Sequence, residues 1–210
     1  MTENIEMSIG LNKLAEYTKS QHDLGKRLVV ANKRTQKRGN YHGGPGLQKR
    51  HSLITQWVSK HCKKNEPLLE VGCCEGYLFD HLRDAGFKDL YGIDISPDAI
   101  QKLKKRGYKG EVFDIHGLSF SQKYGTMISS HSLEHCYNPK LAIENMYKAL
   151  KKGGRLLVVV PRQDKKSVPD KWGHWFHFES FEELLSFFPT DKWKLIWDRR
   201  PKPQLIVEKI

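Results

Sequence analysis

Glycine, carboxylate and imidazole groups are spaced along this chain so that they could hold a nucleoside-bearing ligand and act beside it. Residues 68–77 read LLEVGCCEGY: an apolar run ends in Glu70, and Gly72 and Gly76 bracket a turn before an amphipathic stretch. A strand feeding such a turn lets a ligand approach the backbone and offers it the amides of a helix start. A dinucleotide fingerprint, GxGxxG, needs glycine at 72, 74 and 77; the chain has Gly72, Cys74 and Tyr77, so a pyrophosphate cradle fits poorly. Asp94, in LYGIDIS, ends the next apolar run, where a carboxylate can accept from both hydroxyls of a ribose. Asp114, in EVFDIHG, ends the run after that. Its carboxylate could accept from an exocyclic adenine amine, with Ile95 and Ile115 in apolar contact with the ring. Strand-end aspartates also cap turns, so neither is decisive alone.

His131 and His135 lie in HSLEH, and His174 and His177 in GHWFHF. HSLEH also spells HxxEH, the inverted zinc-peptidase motif, which on a helix brings two histidines to one face. Here it directly follows a strand-like run, and the glycine turn and aspartates precede it in order. A peptidase is therefore disfavoured.

Positioning these residues requires a regular frame, and the chain spells one. Apolar spacing predicts a helix from Leu47 to Cys62. Strands are predicted at 67–72, 89–94, 110–114, 124–130 and 155–160, separated by helices at 76–86, 97–106 and 139–151. Ser96-Pro97 opens one helix with a cap and an N1 proline, while Gly153-Gly154 closes another. Such alternation makes a parallel sheet with helices on both faces. A helix at 180–188 and strands at 193–197 and 205–210 follow, the last two joined through Arg200–Pro203 and so antiparallel. The expected fold class is α/β, a doubly wound seven-stranded sheet, mostly parallel with an antiparallel C-terminal hairpin. Its ligand belongs across the strand carboxyl ends, where strand order reverses.

The 210 residues suit one domain over 47–210 behind a basic N-terminal extension over 1–46. Nearly all of the net charge of +12 falls between Asp23 and Glu66, where no acidic residue occurs but Lys26, Arg27, Lys37, Lys49, Arg50 and Lys60 do. Such a block steers an anionic partner. Only Tyr41 and Trp57 interleave it as stacking residues, unlike a dedicated nucleic-acid module. MTENIEMSIG lacks the order of a signal peptide, and Leu156–Val160 is too short to cross a bilayer, so a cytoplasmic protein without membrane partners is expected. Cys62, Cys73, Cys74 and Cys136 form no CxxC pattern and read as reduced thiols.

LLEVGCCEGY, GIDIS and VFDIHG, then ISSHSLEHCYNP at 128–139 and ALKKGGRLLVVVP at 149–161, resemble the class I S-adenosylmethionine-dependent methyltransferases, in the broad subgroup acting on small molecules and some nucleic acids. The resemblance covers about residues 50–210. It implies a Rossmann-like fold with S-adenosylmethionine as cofactor. It assigns Glu70 to the cofactor-binding set, brings the backbone of Gly72, Cys74 and Gly76 to the methionine moiety, and puts Asp94 on the ribose. Ile95 would flank the adenine, Asp114 and Ile115 would meet its edge, and Ser130 and His131 would lie beside the sulfonium and the acceptor. Two departures stand out: Cys74 replaces the middle glycine, and Gly125 stands where the family often has aspartate.

Transfer of a sulfonium methyl is an in-line displacement needing alignment, exclusion of water and, for a hydroxyl acceptor, a base. The catalytic candidates are His131, His135, His174 and His177. Some methyltransferases of RNA 2′-hydroxyls or catechol-like hydroxyls use a divalent metal. Glu134 and His135, with His131 and one of His174 or His177, could form such a cluster; the simpler expectation is that Glu134 and His135 begin a helix and bind none. By the same resemblance, Trp172, Trp175, Phe176 and Phe178 would line a pocket for a planar or sugar-like acceptor, or else pack beneath the last helix. Ser129–Ser132 carries neither [DNS]PP[YF] nor Pro-Cys, which disfavours DNA base methylation. The expected activity is methyl transfer to oxygen or nitrogen of a small-molecule acceptor, anionic acceptors included. The alternative is an RNA methyltransferase, metal-assisted at 2′-O, that holds phosphates with residues 24–65.

Overall fold

The computed structural model describes residues 16, 19, 45–163 and 173–210. Helix α1 (Pro45–His61) leads into β1 (Leu68–Val71), α2 (Tyr77–Asp84), β2 (Leu90–Asp94), α3 (Pro97–Lys105) and β3 (Lys109–Val112). Then come β4 (Tyr124–Ser130), α4 (Pro139–Ala149), β5 (Leu150–Val159), α5 (Phe181–Ser186), β6 (Trp193–Arg199) and β7 (Lys202–Lys209). The seven strands form one sheet in the order β3-β2-β1-β4-β5-β7-β6. Strands β1 to β5 are mutually parallel, and β7 runs antiparallel between β5 and β6. Strand order reverses between β1 and β4, which opens a crevice at their carboxyl ends.

Period-two patterning makes both sheet faces apolar. Leu69, Val71, Leu156, Val158 and Val207 enter one core with Ile143 and Met146 of α4. Leu68, Leu157, Val159 and Ile206 enter the other with Ile54, Phe79 and Leu103 from α1, α2 and α3. Each such side chain contributes about 1.5–3 kcal/mol when fully buried, so the crevice sits on a frame held from both sides. Local signals start the helices. Ser96 Oγ accepts from Ala99 N–H at 3.3 Å and Asn138 Oδ1 from Leu141 N–H at 3.1 Å, each followed by proline at the first helical turn.

Three boundaries differ from the sequence expectation. Helix α4 ends at Ala149, and β5 begins before Gly153-Gly154 instead of after it. Tyr124 pairs with Leu150 and Thr126 with Arg155, so residues 151–154 bulge out of β5, with Gly153 at φ 72°. The glycine pair shapes a bulge, not a helix stop. Strand β3 stops at Val112, leaving Asp114 to cap a 3-10 turn at Ile115–Gly117. Glu134 and His135 do not begin α4: they lie in a separate 3-10 turn, Leu133–His135, because Asn138 and Pro139 set a fresh helix start. At Gly125 an added Cβ would lie 2.5 Å from Glu66 Cβ, so the Glu66 side chain occupies that space. Among the described residues, no helix is long and apolar enough to cross a membrane.

Candidate active site

The turn after β1 is left-handed at Gly72 (φ 72°), Cys74 (φ 50°) and Gly76 (φ 74°). Ile93 O accepts from Gly72 N–H and Cys73 N–H at 2.8 and 3.1 Å, tying the turn to β2. Ser132 Oγ donates to Val71 O at 2.7 Å and takes the space a side chain at Gly72 would need. Buried Glu75 accepts from Lys102 Nζ at 2.5 Å and from Tyr77 Oη at 2.9 Å, which staples the turn to α3 and α2. Burial, then the Asp94 carboxylate, pushes the Cys74 thiol up to about 12, so it stays protonated.

Both oxygens of Asp94 are engaged: Oδ2 accepts from Cys74 N–H and Oδ1 from Ser96 N–H, each at 2.9 Å. Every carboxylate oxygen has a second lone pair, so two hydroxyls can still be accommodated. Burial raises the Asp94 pKa, while the two amides and nearby His135 oppose that rise. Glu70 is buried in β1, and its Oε2 has no hydrogen-bond partner. Burial, then the charge of Asp94, pushes its carboxyl well above the usual range. Asp114 Oδ1 accepts from His116 N–H at 2.9 Å and lies 2.7 Å from His116 Nδ1. The His116 ring stacks on Tyr137 at 4.1 Å, and Asn145 donates to Ile115 O and His116 O. Ile95 is half-buried, whereas the Ile115 side chain packs in the core.

His131 follows half-buried Ser130 at the end of β4. Its N–H donates to Val159 O at 2.8 Å, its φ is 54°, and its Nδ1 lies 3.3 Å from Oε1 of buried Glu134. The left-handed backbone at a non-glycine strand end is the kind of strain that collects at functional sites. It also takes His131 and His135 out of any shared helix, as the peptidase arrangement would require. The segment after β5 docks here: Trp175 and Phe176 N–H donate to Glu134 O at 2.9 and 3.0 Å, and His135 Nδ1 to Gly173 O at 3.0 Å. The His135 and His174 rings stand 4.8 Å apart, and Gln163 Nε2 meets His174 Nδ1 at 2.9 Å.

His131, His135 and His174 thus converge with Glu134, whereas His177 is buried behind His174, ring to ring at 6.1 Å. Phe178 packs fully buried against Phe176 and Phe187, a core role. Trp172, Tyr41 and residues 24–44 of the basic segment lie outside the described residues. Of its described basic residues, Lys60, Lys63 and Lys64 are exposed just before β1, at the amino-terminal edge of the sheet and opposite the glycine turn, whereas Lys49 and Arg50 are exposed near the start of α1. No sequence pattern singles out Ser132, His116 or Gln163. Their only sequence signal is a polar residue near a strand end, which is too common to use.

The reversal between β1 and β4, the left-handed turn after β1 and the carboxylates closing β2 and following β3 define a class I S-adenosylmethionine-dependent methyltransferase. The chain belongs to the methyltransferase domain family, matched over residues 47–200. It is similar to the malonyl-[acyl-carrier protein] O-methyltransferase of Priestia megaterium (strain DSM 319 / IMG 1521), 30% identical over 112 residues, which are 51% of this chain and 41% of that protein. It is also similar to the ribosomal protein L11 methyltransferase of Cupriavidus necator, 30% identical over 125 residues, 57% of this chain and 41% of that one. The chain therefore spans about two-fifths of the length of these curated relatives. The PH0226 protein of Pyrococcus horikoshii OT3 shares the fold at 17% identity and TM-score 0.65, covering 80% of this chain and 93% of that one. So does magnesium protoporphyrin IX methyltransferase from Synechocystis PCC 6803 with bound SAH, at 18% and 0.59, covering 79% and 84%.

The cofactor is S-adenosylmethionine, and the residues present fit it. The orphaned Glu70 Oε2 and the left-handed turn at Gly72, Cys74 and Gly76 provide for a polar ligand close to the backbone.

Proposed function

We propose that this protein transfers a methyl group from S-adenosylmethionine to an oxygen or nitrogen of a small molecule. The observation that carries the reading is the His131–Glu134 pair at the end of β4, walled by the docked segment 173–178. When bound, the cofactor supplies an activated sulfonium methyl group. The backbone of Gly72, Cys74 and Gly76, together with Glu70, would hold its methionine end. Asp94 would hold the ribose and Asp114, oriented by His116, the adenine edge. With Nδ1–H directed at Glu134 Oε1, His131 keeps the Nε2 lone pair for a proton from an acceptor hydroxyl or ammonium.

The make-up of the basic segment supports a small acceptor over RNA: only Tyr41 and Trp57 interleave its cations as stacking residues. The test pairs binding with turnover: calorimetry with the demethylated cofactor, and a panel of hydroxyl and amine acceptors. Changing His131 to Ala should lower kcat by about 10²–10⁴-fold while leaving cofactor affinity within about twofold. An unchanged kcat removes the base role, and failure of the wild-type protein to bind cofactor removes the whole reading. Turnover should be insensitive to salt between about 50 and 200 mM, whereas a steep decline would favour an RNA acceptor.

A further inference from the structure

We infer that Glu134, His135 and His174 form a site for a divalent first-row transition-metal ion beside the acceptor position. One donor atom from each lies within 4.8 Å of the other two. Ligands that share one ion through bonds of about 2.0–2.2 Å lie at most about 4.4 Å apart, so small side-chain rotations close the cluster on an ion. Two donors come from the turn after β4 and the third from the segment after β5. The hydrogen bonds from Trp175 and Phe176 to Glu134 O hold the two pieces in register.

The protons on the imidazoles are arranged for ligation. Gly173 O can only accept, so His135 carries its proton on Nδ1 and its lone pair on Nε2. His174 Nδ1 meets the Gln163 amide, whose oxygen is otherwise buried without a partner. With that oxygen turned toward Nδ1–H, Gln163 accepts from His174, which takes the same tautomer as His135. A carbonyl on the far nitrogen of each imidazole is the outer shell that orients metal-bound histidines. Glu134 supplies an independent observation. It is 1% exposed, Oε1 faces His131, and Oε2 is buried with no hydrogen-bond partner. A buried carboxylate oxygen without a donor is costly, and a cation in the cluster removes that deficit.

Two nitrogens and one carboxylate favour a transition ion over Mg²⁺ or Ca²⁺, which prefer all-oxygen sets. Three protein ligands leave a coordination position open. Glu134 and His135 follow directly on β4, whose carboxyl end forms the crevice with that of β1, so the cluster borders the cofactor crevice. An oxygen of the acceptor would take the open position; this last step rests on the methyltransferase reading, whereas the metal site does not.

The experiment uses the full chain, stripped with chelator and titrated calorimetrically with Zn²⁺, Mn²⁺ or Mg²⁺, with binding of the demethylated cofactor measured on the same samples. One equivalent of Zn²⁺ or Mn²⁺ should bind, with Mg²⁺ much weaker. Glu134→Gln and His174→Ala should each weaken Zn²⁺ binding more than about tenfold, and Gln163→Ala by about tenfold, with cofactor affinity retained. His177→Ala should keep the metal. Absence of stoichiometric binding in protein that still binds cofactor overturns the site, as does binding undiminished in both ligand variants. Metal binding without cofactor binding would leave the site standing and remove the methyltransferase reading instead.

Discussion

Asp94 shows how one side chain serves both the fold and the ligand. Its oxygens order the amides of Cys74 and Ser96, and the remaining lone pairs face a site that would take ribose hydroxyls. Asn at this position keeps one carbonyl acceptor and removes the charge. Asp94→Asn should therefore weaken cofactor binding by about 10–100-fold, from loss of one charged hydrogen bond of about 1.5–3 kcal/mol. The unfolding midpoint should fall, because the Asn NH2 must face the N–H of Cys74 or Ser96, a loss only partly offset by relieving burial of a charge. Calorimetry on the folded variant decides it: unchanged affinity would mean that Asp94 only caps the turn and α3.

The glycine turn works as an element, because its shape depends on Ser132 arriving from the loop after β4. Ala at Gly72 meets two costs. A left-handed non-glycine backbone costs about 1–2 kcal/mol, and overpacking against Ser132, whose Cβ would be 2.8 Å away, adds about 1–3 kcal/mol. Gly72→Ala should thus be destabilised by both amounts in urea. Adding Ser132→Gly should recover only the steric part. Full recovery, or no initial loss, would contradict the turn geometry. His131 is strained in the same way one loop away, so the crevice is bordered on both sides by left-handed backbone.

At the scale of the molecule, Glu70 places a carboxyl in the central strand of a sheet covered on both faces. Its folded pKa is raised well above the ordinary value, mainly by burial. As pH rises past the ordinary carboxyl range, the unfolded chain ionises while the folded protein still holds the proton. Unfolding then releases a proton, and stability falls with rising pH across that window. Glu70→Gln has no proton to lose. It should match the wild type below about pH 4 and melt progressively higher toward neutral pH, by about 2–4 °C for each kcal/mol relieved. Cofactor affinity should fall in the same variant. Melting curves that track the wild type at every pH would show that the Glu70 carboxylate is compensated in the folded state.

The sequence by itself determined the frame, and it located the candidate cofactor end of the site. Strand and helix periods, the Ser96-Pro97 start, the glycine turn and the positions of Asp94 and Asp114 are local signals, carried by residues a few positions apart. Only the tertiary structure decided which histidines meet. His135 joins His174 and Gly173, and His131 pairs with Glu134, because segment 173–178 docks on the loop after β4. His177, only three positions from His174, is buried instead. The same holds for charge. A basic segment sums identically wherever it lies, but the direction of the chain into β1 sends Lys60, Lys63 and Lys64 to the sheet edge opposite the crevice. Hydrogen bonds and charges that act across distant segments are set by packing, which local periodicity does not encode.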